Sequence, residues 1–158
     1  MPAAAALCGA LGFGTPASAE LGGAPMTTPS GAVAKTLSPV ERAASSTRSS
    51  IASPSYRVQE TTFPVGTVVR EYIDADGKVF GIAWRGPFAP NLSALLGTYF
   101  SQYKSAVEAQ RARRPGRGPV AVEQSGLVVH SLGHMGAYSG QAYLSTELPS
   151  GVSADDIQ

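Results

Sequence analysis

The stretch HSLGHMG, residues 130 to 136, holds both histidines of the 158-residue chain, four positions apart. On a helix, imidazoles at that spacing share a face and can hold one metal ion; with Tyr138 nearby they could also serve hydrolytic chemistry. On a straight strand they still share a face, but stand roughly 13 Å apart, while a shared ion needs about 2 Å to each nitrogen. Gly133 and Gly136 argue against a helix, and no carboxylate lies close in sequence. His130 and His134 are therefore weak metal candidates, and no metal or other cofactor is expected. Strand spacing makes His130 a half-buried strand residue between Val128 and Leu132, and His134 a turn residue between Gly133 and Met135.

A second cluster lies in RARRPGRG, where Arg111, Arg113, Arg114 and Arg117 fall within seven residues. Such a run can meet anionic lipid, polysaccharide or nucleic acid. The chain as a whole is near neutrality, with 12 basic and 11 acidic residues, and no aromatics interleave the arginines. No nucleic-acid partner is expected on that balance. The plainer role is a solvated helix end, since cations suit a helix C-terminus. Other catalytic templates fail: there is no G-x-S-x-G elbow, no Walker loop and no dinucleotide fingerprint. Asp74 and Asp76 read as turn chemistry, and Asp155 and Asp156 as part of a polar tail. No catalytic residue is assigned.

The elements that would position these groups begin near Tyr56. YRVQETT reads as a first strand and FPVG as a turn. TVVREYI and KVFGIAW flank DADG, in which Asp74 suits the start of a type I turn and Gly77 the left-handed position after it. A three-residue loop pairs Tyr72 with Phe80 and Val68 with Trp84. A two-residue Asp76-Gly77 turn instead puts Glu71 beside Phe80 and Ile82. Either register leaves one charged residue, Arg70 or Glu71, on a face with aromatics, and its charged head is expected to reach the sheet edge.

Asn91 is a good N-cap for a long helix whose Leu92, Leu95, Leu96, Tyr99, Phe100, Tyr103 and Val107 form one apolar stripe. Gly97 weakens that helix or lets its backbone approach the sheet. Six of the twelve aromatics lie between Phe80 and Tyr103, at the spacing of a core face rather than of a binding groove. PVAVEQ, a Ser125-Gly126 turn, LVVHSL and MGAYSGQAYL complete the β pattern, with Val122 opposite Val129. The expected fold is α+β: antiparallel hairpins or a meander packed on one long amphipathic helix, in the order β-β-β-α-β-β-β.

Residues 1–19 read as a signal peptide. An apolar run from Ala3 to Phe13 leads to Ala17-Ser18-Ala19, the small-x-small pattern of a cleavage site, although no Lys or Arg precedes the run. Cleavage there removes Cys8, the single cysteine, and leaves a chain without disulfides. Residues 20–55 are rich in Ala, Ser, Thr, Pro and Gly without a sustained apolar period, and read as a flexible linker. Residues 56–149 form the single α+β domain and 150–158 a polar C-terminal tail.

The signal-like start, ELGGAPMTTP, GTVVREYIDADGKVFGIAWRGP, NLSALLGTYF, QSGLVVHSLGHMGAYSGQAYL and LPSGVSADDIQ together resemble a secreted family of Gram-negative bacteria. That family is classified only as a domain of unknown function, numbered twenty-eight forty-four. The resemblance runs from Glu20 almost to the end of the chain and implies export and one domain. It supplies no activity and no functional residues.

The expectation is thus an exported, non-catalytic periplasmic or secreted module with no transmembrane segment in its mature chain. Its partner would be an envelope or secreted protein, or a surface component. The alternative is a metal-binding or hydrolytic protein built on His130 and His134.

Overall fold

The DADG segment forms the turn expected of it. Gly77 N–H donates to the Asp74 carbonyl, Lys78 N–H to the Asp74 carboxylate, and Gly77 has φ +86°. In this computed structural model, which describes residues 20–37, 56–114, 116 and 118–158, that turn joins two central strands of one antiparallel sheet. The strands are β1 (Val33–Leu37), β2 (Arg57–Thr62), β3 (Val68–Ile73), β4 (Val79–Gly86), β5 (Val120–Gln124), β6 (Leu127–His134) and β7 (Ala137–Leu144). Their spatial order is β1-β2-β3-β4-β7-β6-β5. The chain therefore leaves β4, crosses to the far edge through its helical segment, and returns so that β7 pairs with β4.

Two corrections to the expected order follow. An additional strand, β1, precedes the first one expected, giving β-β-β-β-α-β-β-β. It lies within the segment read as a linker, and its residues pair in register from Val33 opposite Thr62 to Leu37 opposite Val58. An edge strand buries little, so it needs no apolar alternation to form. The β3–β4 register is also neither of the two simple ones. Ile73 pairs with Val79, as a three-residue loop requires, but a bulge shifts the pairing so that Tyr72 faces Gly81 and Glu71 faces Ile82. The bulge places Val79, Ile82 and Trp84 in one cluster, and Phe80 and Ala83 in the other.

The larger cluster lies under the helical segment. Asn91 caps it, its side chain accepting from the N–H groups of Ser93 and Ala94. The segment is broken rather than continuous: α1 (Leu92–Leu96), one 3-10 turn (Gly97–Tyr99) and α2 (Phe100–Arg113). Leu95, Leu96 and Val107 are buried with Trp84, Ile82, Val129 and Leu144, and the rest of the stripe packs around them. The break has a cause in space. Gly97 takes φ +50°, and a Cβ there would collide with the side chain of Glu20. Thr98 N–H donates to Glu20 Oε1 at 2.9 Å, so a carboxylate satisfies a backbone donor that the broken helix leaves open.

Residues 20–26 are thus part of the fold and not a linker. Leu21 is buried; its N–H bonds the Leu95 carbonyl, and Val79 exchanges hydrogen bonds with Gly22 and Gly23. The expected polar tail is likewise packed. Ile157 is buried on the opposite sheet face with Val58, Tyr72 and Phe80, against Gly81, where any Cβ would meet its side chain at 2.8 Å. Tyr72 Oη donates to the Gln158 carbonyl and accepts from the Gln158 N–H. One buried residue in each segment overrides a polar composition. The signal-peptide segment 1–19 and residues 38–55 of the linker reading lie outside the described residues.

Candidate functional site

The two histidines are placed by β6. The Ser125-Gly126 turn, with φ +48° and +84°, pairs Val122 with Val129 as expected. Leu127 and Val129 then face the helix, and Val128, His130, Leu132 and His134 share the other face by strand alternation. On that face His130 is half-buried in its strand, as expected, with its side chain 40% exposed and 3.7 Å from Glu123 Oε1. His134 is the last residue of β6, opposite Ala137, rather than within the Met135-Gly136 turn. Tyr138 alternates with Ala142 and Leu144 and falls on the helix face, across the sheet from both histidines. Among the described residues, no three His, Cys, Asp or Glu side chains gather where they could hold one metal ion.

Arg111 and Arg113 stand exposed in the last turn of α2, with exposed Arg114 as its C-cap. They meet the position expected of cations at a helix C-terminus. Arg117 lies outside the described residues. Between the end of α2 and β5 is a cleft of about 610 Å³, lined by Gln110, Arg113, Arg114 and Val122 among others. A second cleft, about 690 Å³, lies beside the β6–β7 turn between Arg85, Pro119, Leu132, His134 and Ser139.

The second cleft lies at one rim of the sheet, while the first runs from there along β5 to Glu123 and Gln124. The registers bring Thr62 opposite Val68, Val68 opposite Arg85, Gly86 opposite Tyr138, and Val120 opposite Ser131. The β2–β3 turn, the β4–α1 connection, the α2–β5 connection and the β6–β7 turn therefore share one end. All five exposed large apolar side chains among the described residues also lie there: Val33, Val65, Phe88, Leu132 and Met135. Met135 is 97% exposed at the tip of its turn. No Asp or Glu occurs in FPVGT, PFAPN, RPGRGP or HMGA, the segments that build the rim's turns and connections. The opposite end carries Asp74, Asp76 and Glu147.

Sequence reasoning missed this rim because its members are scattered singly over a hundred residues. It also missed Glu71. The bulged register drops that residue onto the helix face, where it is 1% exposed, instead of letting its head reach an edge. Its Oε1 accepts from Met26 N–H at 2.8 Å; Gln59 Nε2 donates to Met26 O at 2.8 Å and to Glu71 Oε2 at 3.4 Å. Burial pushes the Glu71 carboxyl up to about 7, against the opposing pull of the Met26 N–H. Across the sheet, Glu60 is held low chiefly by its 2.8 Å bond from Arg70, with Lys35 at 3.0 Å.

A single antiparallel sheet with one helical layer defines an α+β module. Residues 17–157 match the family model described as Protein of unknown function (DUF2844), and the chain belongs to that family. The match includes both the N-terminal arm and the C-terminal segment that the fold packs. No curated protein and no solved structure matches the chain. Among the described residues, no helix is long and apolar enough to cross a membrane.

Proposed function

We propose that this protein is an exported, non-catalytic binding module of the cell envelope, and that it binds through the rim of Val65, Phe88, Leu132 and Met135. One observation carries the reading: every exposed large apolar side chain among the described residues sits at that end. Elsewhere the large apolar residues among the described ones are buried or half-buried. Scattered exposed apolar residues are ordinary, but their confinement to one end marks a contact surface. Export is supported by the small-x-small segment before Glu20 and by the packed role of Glu20 and Leu21 immediately after it.

The test is a pull-down from envelope extracts with the wild type and with Leu132→Ser/Met135→Ser. The wild type is expected to retain an envelope component that the double variant loses, with both proteins melting alike. Equal retention by both would remove the rim from the reading.

A further inference from the structure

Resting on the rim proposed above, we infer that its partner is the surface of a bilayer containing anionic phospholipid, onto which the module docks end-on. The rim combines two features in separate positions. Its apolar side chains project from three turns or connections and two strand ends, at Val65, Phe88, Met135, Val33 and Leu132. Its cations, Arg85, Arg111, Arg113 and Arg114, are exposed beside them.

The distribution fits a bilayer better than a protein. The seven strands span roughly 30 Å at the usual ~4.8 Å spacing, and the apolar tips are spread across most of that width. A specific protein interface concentrates its apolar contacts in one desolvated centre and matches charges of both signs. Here the tips are separate, Met135 stands clear of its surroundings, and the rim's turns hold no carboxylate. A diffuse negative surface needs no pattern: side chains enter the headgroup layer while arginines remain among the phosphates. The acidic groups at Asp74, Asp76 and Glu147 face away in this orientation, which a negative membrane favours. Leu37 and Tyr56, the described residues flanking 38–55, also lie toward that far end.

The experiment is co-sedimentation of the full chain with vesicles of phosphatidylglycerol and phosphatidylethanolamine, set against vesicles of phosphatidylcholine alone. Binding to the anionic vesicles, and at least tenfold weaker binding to phosphatidylcholine, is expected. Raising salt to about 0.5 M should release most of the protein, because the interaction is screened beyond a few ångströms. Arg113→Gln/Arg114→Gln should weaken binding by roughly twentyfold, as two surface cations near anionic lipid do. Leu132→Ser/Met135→Ser should weaken it comparably, with melting curves unchanged for both variants. No sedimentation with either vesicle, or sedimentation that ignores both double variants, overturns the inference. If vesicles fail while Leu132→Ser/Met135→Ser still abolishes the envelope pull-down, the binding rim stands and its partner is a protein. If both assays fail, the rim itself falls.

Discussion

Glu71 Oε1 accepts a 2.8 Å hydrogen bond from the backbone N–H of Met26, across 45 residues of chain. The side chains of Glu71 and Gln59 thereby take up the N–H and the carbonyl of one arm residue, as a neighbouring strand would. The arm is held by a buried carboxyl whose protonation is tied to folding.

That tie gives stability a pH slope. The folded-state value of about 7 lies above the ordinary unfolded value near 4.3, so the folded chain binds the proton more tightly. The contribution is complete below about pH 4 and is lost as pH rises through 7, in total on the order of 3 kcal/mol. Glu60 acts with the opposite sign, its depressed carboxyl losing stability only as pH falls through the acid range. Melting temperatures from pH 5 to 8 should therefore fall for the wild type and stay nearly level for Glu71→Gln. An equal slope in both proteins would mean another group titrates.

Leu21 is buried between the sheet and α1. Leu21→Ala should cost about 2–5 kcal/mol in urea unfolding, the range of a large core truncation. A change below about 0.5 kcal/mol would show that the arm contributes nothing to the core.

Trp84 sits at the meeting of sheet and helix, packed over Gly140. Trp84→Ala should cost about 3–5 kcal/mol, a large part of the stability of a domain this size. Its fluorescence in the native state should be shielded from soluble quenchers. A folded Trp84→Ala protein with an unchanged melt would place the residue at the surface.

The histidines should act independently and weakly. His130 is half-buried with its side chain 40% exposed, and His134 closes a strand beside a turn, so His130→Gln and His134→Asn should each shift stability by no more than about 0.5 kcal/mol. Melts of all three proteins, with and without a strong chelator, decide the matter. A chelator-sensitive wild type beside two insensitive variants would make HSLGHMG a metal site.

Export predicts a defined N-terminus. Mature protein recovered from periplasm or medium should begin ELGG, with Glu20 free to engage Thr98. Intact mass retaining residue 1 on cytoplasmic protein would count against export.

Some features were legible from the chain alone because their causes are local. The Asp74–Gly77 turn, the Asn91 cap, the stripe from Leu92 to Val107 and the Ser125-Gly126 hairpin each depend on residues a few positions apart, through backbone preference and periodicity. The helix stripe also announced that Trp84 and its neighbours form a core. Tertiary structure decided the rest. Leu21 bonds the distant Leu95 and Ile157 packs with the distant Val58, Tyr72 and Phe80, so no local period could mark them. β1 needed only an edge to pair with. The bulge after Tyr72 chose the face on which Glu71 lies, and with it a buried carboxyl in place of an edge charge. The rim came from sheet registers that gather turns from distant parts of the chain. Local sequence sets turns and stripes; which faces close, and which end stays open, depends on contacts that exist only once the sheet is assembled.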